Sequence, residues 1–124
     1  MCVIVEILIV DDDVEIVRLF EQFLKLKGHT VVAKAFNGEE AVDFYKKTKN
    51  YPDIILMDHR MPLKNGLETT KEILRINSNS KIIFISADYT IRDLALKVGA
   101  VDFLEKPIDF DTLFRLIEKY NSRI

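Results

Sequence analysis

The stretch IILMDHRMP, residues 54–62, decides the fold. Ile54-Ile55-Leu56-Met57 is apolar at every position, the pattern of a strand covered on both faces. Asp58 follows at once, and Pro62 closes the segment. An apolar strand that runs straight into a carboxylate ends in a turn, in a helix cap, or at a group placed for chemistry. The remainder of the chain has to choose among these.

Working outward, four further runs have the same character: Glu6–Val10, Val31–Ala35, Ile82–Ile85 and Asp102–Leu104. They are rich in Ile, Val, Leu and Phe, as parallel strands should be. Amphipathic segments alternate with them. The first places Ile16, Leu19, Phe20 and Phe23 at helical spacing, with Gly28 as its C-terminal stop. NGEEAVDFYKKT predicts a second helix, opened by Asn37 or Gly38 with acids in its first turn. GLETTKEILRI predicts a third, with Leu67, Ile73, Leu74 and Ile76 available to a core. TIRDLALKVG predicts a fourth between a Thr90 cap and a Gly99 stop, and DFDTLFRLIEKY a fifth with Leu113, Leu116, Ile117 and Tyr120 facing inward. Five β-α repeats joined by right-handed crossovers predict a doubly wound, five-stranded parallel α/β sandwich.

The 124 residues suit one domain, 1–124, with one sizeable core and no output domain. With 48% hydrophobic and 31% charged residues the chain reads as globular rather than disordered. A formal net charge of −2 argues against direct nucleic-acid binding, which calls for a basic face. The apolar start MCVIVEILIV is interrupted by Glu6, and no segment reaches the ~20 apolar residues of a membrane span. Cys2 is the single cysteine, so no internal disulfide can form, which fits the cytoplasm. It reads as a bland terminal residue rather than a reactive thiol.

In such a sheet, functional groups gather at the carboxyl ends of the strands. Strand one ends in Asp11-Asp12-Asp13, strand three in Asp58, strand four in Ser86, and strand five just before Lys106-Pro107. A strand order of 2-1-3-4-5 would make strands one and three neighbours and crowd Asp11, Asp12 and Asp58 into one crevice, with Ser86 and Lys106 opposite. Carboxylates at close range repel and call for a counter-charge. All-oxygen ligands suit a hard cation, Mg²⁺ or Mn²⁺, and Lys106 supplies a fixed second charge. A cation, an ammonium and a hydroxyl around one carboxylate form a phosphoryl-binding set, with that carboxylate as nucleophile. Asp13 is left to cap the first helix.

At this point the chain resembles the receiver domain of two-component response regulators, a flavodoxin-like three-layer sandwich. ILIVDDD, DIILMDHRMP, NGLE, IIFISA and ALKVGAVDFLEKP match that family's pattern in order, from about Glu6 to the fifth helix. The resemblance implies that Asp58 is the phosphoacceptor, and that Asp11 and Asp12 organise Mg²⁺, Asp12 directly and Asp11 through water. It implies the backbone carbonyl of Arg60 as a further ligand, and Ser86 as the hydroxyl that turns toward the phosphoryl group. It implies that Lys106 bonds a phosphoryl oxygen, that the Lys106-Pro107 bond is cis, and that Phe103 occupies the rotating aromatic position. The implied partners are a histidine kinase or phosphotransfer protein as donor, and an output partner on the helix 4–strand 5–helix 5 face. The implied state is a monomer or a weak phosphorylation-linked dimer. Asn65 stands where the family often has aspartate, and Phe103 lacks a tyrosine's hydroxyl.

Several residues carry readings of their own. Arg60 and Asp88, each two residues beyond a site residue, have opposite charges; they gate the hydrolytic water or are simply solvated. His59 is expected to point away from Asp58 by strand alternation, and His29 to be exposed in a turn. Phe110 and Phe114 pack under the preceding loop or form a partner patch. VDDDVE also superficially matches the nucleophile motif of haloacid-dehalogenase-type phosphatases, a reading that makes Asp11 the nucleophile and leaves Asp58 unexplained.

Overall fold

The chain alternates strand and helix as its hydrophobic pattern requires. A computed structural model describes residues 4–121, so Cys2 lies outside the described residues. The elements are β1 (Glu6–Val10), α1 (Val14–Leu26), β2 (Thr30–Ala35), α2 (Gly38–Lys47), β3 (Ile54–Met57), α3 (Gly66–Ile76), β4 (Ile82–Ser86), a 3₁₀ turn (Tyr89–Ile91), α4 (Arg92–Val98), β5 (Asp102–Glu105) and α5 (Phe110–Tyr120). All strand pairs are parallel, in the order β2-β1-β3-β4-β5.

Side chains alternate across a strand, so an apolar strand has to be covered twice. Leu8, Val10, Ile55, Met57, Ile82 and Phe84 enter one core, closed by Ala41 and Tyr45 of α2, Ile73 of α3 and Ala95 of α4. Their neighbours Ile7, Ile9, Ile54, Leu56, Ile83 and Ile85 enter the other, closed by α1 and α5 through Val17, Phe20, Leu24, Leu113 and Ile117. Each such buried side chain contributes roughly 1.5–3 kcal/mol against leaving it exposed, which fixes both the register and the strand ends.

The helix starts follow from side-chain caps. Asp13 caps α1, accepting from the backbone N–H groups of Glu15 and Ile16 at 3.0 and 3.3 Å. Asn37 caps α2, and Asn65 caps α3 in a reciprocal box with Glu68. Gly28 follows α1 at φ +84°, the left-handed conformation glycine adopts without a Cβ penalty. Among the described residues, no helix is long and apolar enough to cross a membrane.

Three local expectations are corrected. In α1 the buried face is Val17, Phe20 and Leu24, while Leu19 and Phe23 are 40% and 36% exposed. The cap before the fourth helical segment is Asp88 rather than Thr90, because a 3₁₀ turn precedes α4 and Asp88 accepts from the Thr90 N–H at 3.0 Å. His29 is half-buried rather than exposed; its Nδ1 accepts the Val5 N–H at 3.2 Å and so holds the lead-in to β1. Phe110 and Ile108, a residue of the loop before α5, pack against the same core. Phe110 stacks on Phe23 at 4.3 Å and meets Phe20 edge-on at 5.6 Å, with Phe114 beside it at 6.1 Å. These rings join α5 to α1.

Candidate functional site

The sheet register builds the site. Val10 pairs with Met57 across β1 and β3, so the next residues, Asp11 and Asp58, emerge side by side. Their backbones are tied down by Asp11 N–H to Ala35 O at 3.0 Å and Asp58 N–H to Val10 O at 2.9 Å. Ser86 pairs with Glu105 across β4 and β5, and the Lys106 N–H donates to Ser86 O at 2.9 Å. This brings the lysine over the same edge. The Lys106-Pro107 peptide is cis.

Asp11, Asp12 and Asp58 each offer a carboxylate oxygen, and these oxygens lie within 4.8 Å of one another. Asp11 and Asp58 are buried and Asp12 is exposed. Lys106 Nζ donates to Asp11 Oδ2 at 3.2 Å and to Asp58 Oδ1 at 3.4 Å, bridging the two buried acids. Asp11 also accepts the Asp13 N–H at 2.9 Å, which curls the chain from β1 into α1. One ammonium faces three carboxylates, so the site is electrostatically short of positive charge. Burial, and after it the charge of Asp11, push the Asp58 carboxyl up to about 6, against the pull of Lys106. Burial pulls the Lys106 ammonium down, but Asp11 and Asp58 outweigh it and hold that ammonium above the usual lysine range. A crowded, all-oxygen donor set with a destabilised carboxylate fits a hard divalent cation.

Asp58, Arg60, Ser86, Ala87, Asp88 and Lys106 line an open cleft of about 370 Å³ beside these acids. Ser86 is 2% exposed, and its Oγ accepts the Asp88 N–H at 3.1 Å. Arg60 Nη2 donates to Asp88 Oδ2 at 3.3 Å across the cleft mouth. Phe103 is buried in the core on the helix-2-to-4 side, opposite Phe84 in the register. His59 is not among the residues that line the cleft; its ring lies 6.5 Å from that of Phe84, with a buried Nδ1 that has no hydrogen-bond partner among the described residues.

Gly66, which the residue chemistry alone did not single out, belongs to the same construction. A Cβ there would stand 2.3 Å from Asp58 O and 2.8 Å from His59 Cα. The Gly66 N–H donates to His59 O at 2.8 Å. The first turn of α3 therefore rests on the Asp58 backbone, and only a residue without a side chain leaves room for it. The sole signal in the sequence is the Asn-Gly pair that opens α3.

Comparison with known proteins bears on the family and the fold. The response regulator receiver domain family matches residues 7–118. A chemotaxis protein CheY of Thermotoga maritima is 38% identical over 118 residues, 94% of this chain and 97% of that protein. Among solved structures, CheY in the CheX-CheY-BeF3-Mg complex from Borrelia burgdorferi superposes with a TM-score of 0.86 at 32% identity, covering 94% of this chain and 89% of that one. The response regulator TrrA of Thermotoga maritima, in complex with Mg²⁺-BeF, superposes with a TM-score of 0.85 at 32% identity, covering 94% and 99%.

The fold and these matches define a phosphorylation-dependent signalling switch of the two-component type. The chain belongs to the response regulator receiver domain family. The phosphatase reading centred on Asp11 finds no support. Asp11 is instead one of two buried acids that share Lys106, and Asp58 is the other.

Proposed function

We propose that Asp58 accepts a phosphoryl group from the phosphohistidine of a histidine kinase or relay protein. The observation that carries this is the convergence of Asp11, Asp12 and Asp58 with Lys106 bridging the two buried acids. A carboxylate oxygen of Asp58 attacks phosphorus, the bond from phosphorus to the donor's imidazole nitrogen breaks, and the electron pair leaves with that nitrogen. Lys106 donates a hydrogen bond to a phosphoryl oxygen as negative charge gathers there. Small acyl phosphates serve as alternative donors, with oxygen as the leaving atom.

Asp12, the Arg60 backbone carbonyl and Asp58 would hold Mg²⁺, with Asp11 acting through water; Mn²⁺ fits the same oxygens. The cation, when bound, neutralises charge on the acids and on the transferring group. Ser86 Oγ then turns toward the phosphoryl oxygens, Phe103 changes its packing, and the α4–β5–α5 face is presented differently to an output partner. This is a shift between two packings rather than a new fold. The Arg60 guanidinium and Asp88 carboxylate stand where they restrict the water that hydrolyses the phosphoryl group. The chain works in the cytoplasm without binding nucleic acid, as a monomer or a dimer that phosphorylation strengthens.

The experiment is Mg²⁺-dependent labelling by a small acyl phosphate. Asp58→Asn is expected to take up no label, and undiminished, acid-stable label in that variant would remove the assignment. The label on Arg60→Ala should decay faster than on the unaltered chain; an unchanged half-life would remove the gate.

A further inference from the structure

Phe103 lacks a hydroxyl and is 8% exposed, so it offers a partner little surface. Tyr89 covers it. The two ring centroids are 6.0 Å apart with planes at 83°, and Tyr89 is 57% exposed. Tyr89 opens the 3₁₀ turn, and Asp88 caps that turn. Asp88 Oδ1 accepts from both the backbone N–H, at 3.0 Å, and the hydroxyl of Thr90. Asp88 is also held twice from the cleft: its N–H donates to Ser86 Oγ at 3.1 Å, and its Oδ2 accepts from Arg60 Nη2 at 3.3 Å. Ser86 and Arg60 line the cleft with Asp58. One residue thus ties the reacting cleft to the turn that carries Tyr89.

We propose that Asp88 is a positioning residue that couples the state of the cleft to the exposed ring of Tyr89. The inference rests on the reading of Asp58 as phosphoacceptor. When Ser86 Oγ turns to donate to a phosphoryl oxygen, the acceptor of the Asp88 N–H moves with it. Asp88 either follows or loses that bond, and both displace the carboxylate that holds Thr90. Tyr89 lies between Asp88 and Thr90 in the chain, so its ring shifts over Phe103. The turn is easily moved, because it closes on a long Ile91 N–H to Asp88 O bond of 3.4 Å. Ile91, at its end, packs in the same core as Phe84, Phe103 and Ala95, which carries the displacement into α4.

The test is fluorine NMR of the chain labelled with fluorotyrosine, the Tyr89 signal being assigned with Tyr89→Phe. Mg²⁺ with beryllofluoride stands in for the phosphoryl group, and the His59 amide resonance reports loading independently. On loading, the Tyr89 signal is expected to move. In Asp88→Ala, compared at beryllofluoride concentrations at which the His59 amide shows the site loaded, it should start at a different position and lose most of that movement. Tyr89→Leu should load like the unaltered chain. A stationary Tyr89 signal in the loaded unaltered chain, or full movement in Asp88→Ala, overturns the coupling. If the His59 amide does not respond at all, the reading of Asp58 falls and this inference falls with it.

Discussion

Asp58→Asn is expected to stabilise the metal-free protein at neutral pH. The carboxyl stands at about 6 in the fold against an ordinary 3.8, and its side chain is 11% exposed, so solvent screens the penalty little. At ~1.36 kcal/mol per pKa unit, that difference disfavours the ionised native state by about 3 kcal/mol. Asparagine removes the charge and keeps a carbonyl oxygen that can accept from Lys106, whose pull is already contained in that value, so the expected gain is the same, about 3 kcal/mol. The sign follows from a folded pKa raised above the unfolded one. The penalty is fully present above about 6, fades as pH falls through that value, and is absent below 3.8, where the group is protonated in both states. The assay is urea unfolding of both proteins in EDTA at pH 7.5 and at pH 4. A clear gain at pH 7.5 that has largely vanished at pH 4 is expected. An Asn variant no more stable than its parent at pH 7.5, or a gain equal at both pH values, would refute the electrostatic account of the site.

Three further outcomes follow from the same structure. Mg²⁺ should raise the melting temperature of the unaltered chain, since a ligand that binds only the native state stabilises it, and Asp12→Ala should lose most of that rise in a thermal scan. Phe110→Ala should cost roughly 2–4 kcal/mol in urea unfolding, because the ring fills the space between Phe20, Phe23 and Phe114; a neutral change would contradict the packing of α5 on α1. Burial holds the His29 imidazole below its ordinary pKa, and a neutral Nδ1 is needed to accept the Val5 N–H, so this contribution is complete above about 6.5 and is lost as pH falls through the lowered value. His29→Asn should flatten the stability profile in that window, and an unchanged slope would dismiss the contact.

Strand-level structure was legible because its signal is local. Ile54–Met57 could be placed to the residue, since four consecutive apolar side chains followed by a charge allow one register. The convergence of Asp11, Asp58 and Lys106 followed from strand order once the alternation was read. The misreadings have a different origin. Leu19 and Phe23 sit at helical spacing, but which arc of α1 is buried depends on α5, whose Phe110 takes the Phe23 face. Thr90 resembles a cap in sequence, yet Asp88 fills that role because a 3₁₀ turn shifts the start of α4. The link from Ser86 through Asp88 to Tyr89 was not legible, since it depends on how one short turn closes over a ring from the neighbouring strand.

The central claim, that Asp58 is the phosphoacceptor, is tested most directly by locating the covalent phosphoryl group. The chain is incubated with Mg²⁺ and a small acyl phosphate, the acyl phosphate on the protein is trapped by reduction, and peptides are sequenced by mass spectrometry. The reduced residue is expected at Asp58 alone and only when Mg²⁺ is present. Reduction at Asp11 or Asp12 with Asp58 intact, or an acid-labile phosphate found on His59 instead, would contradict the account.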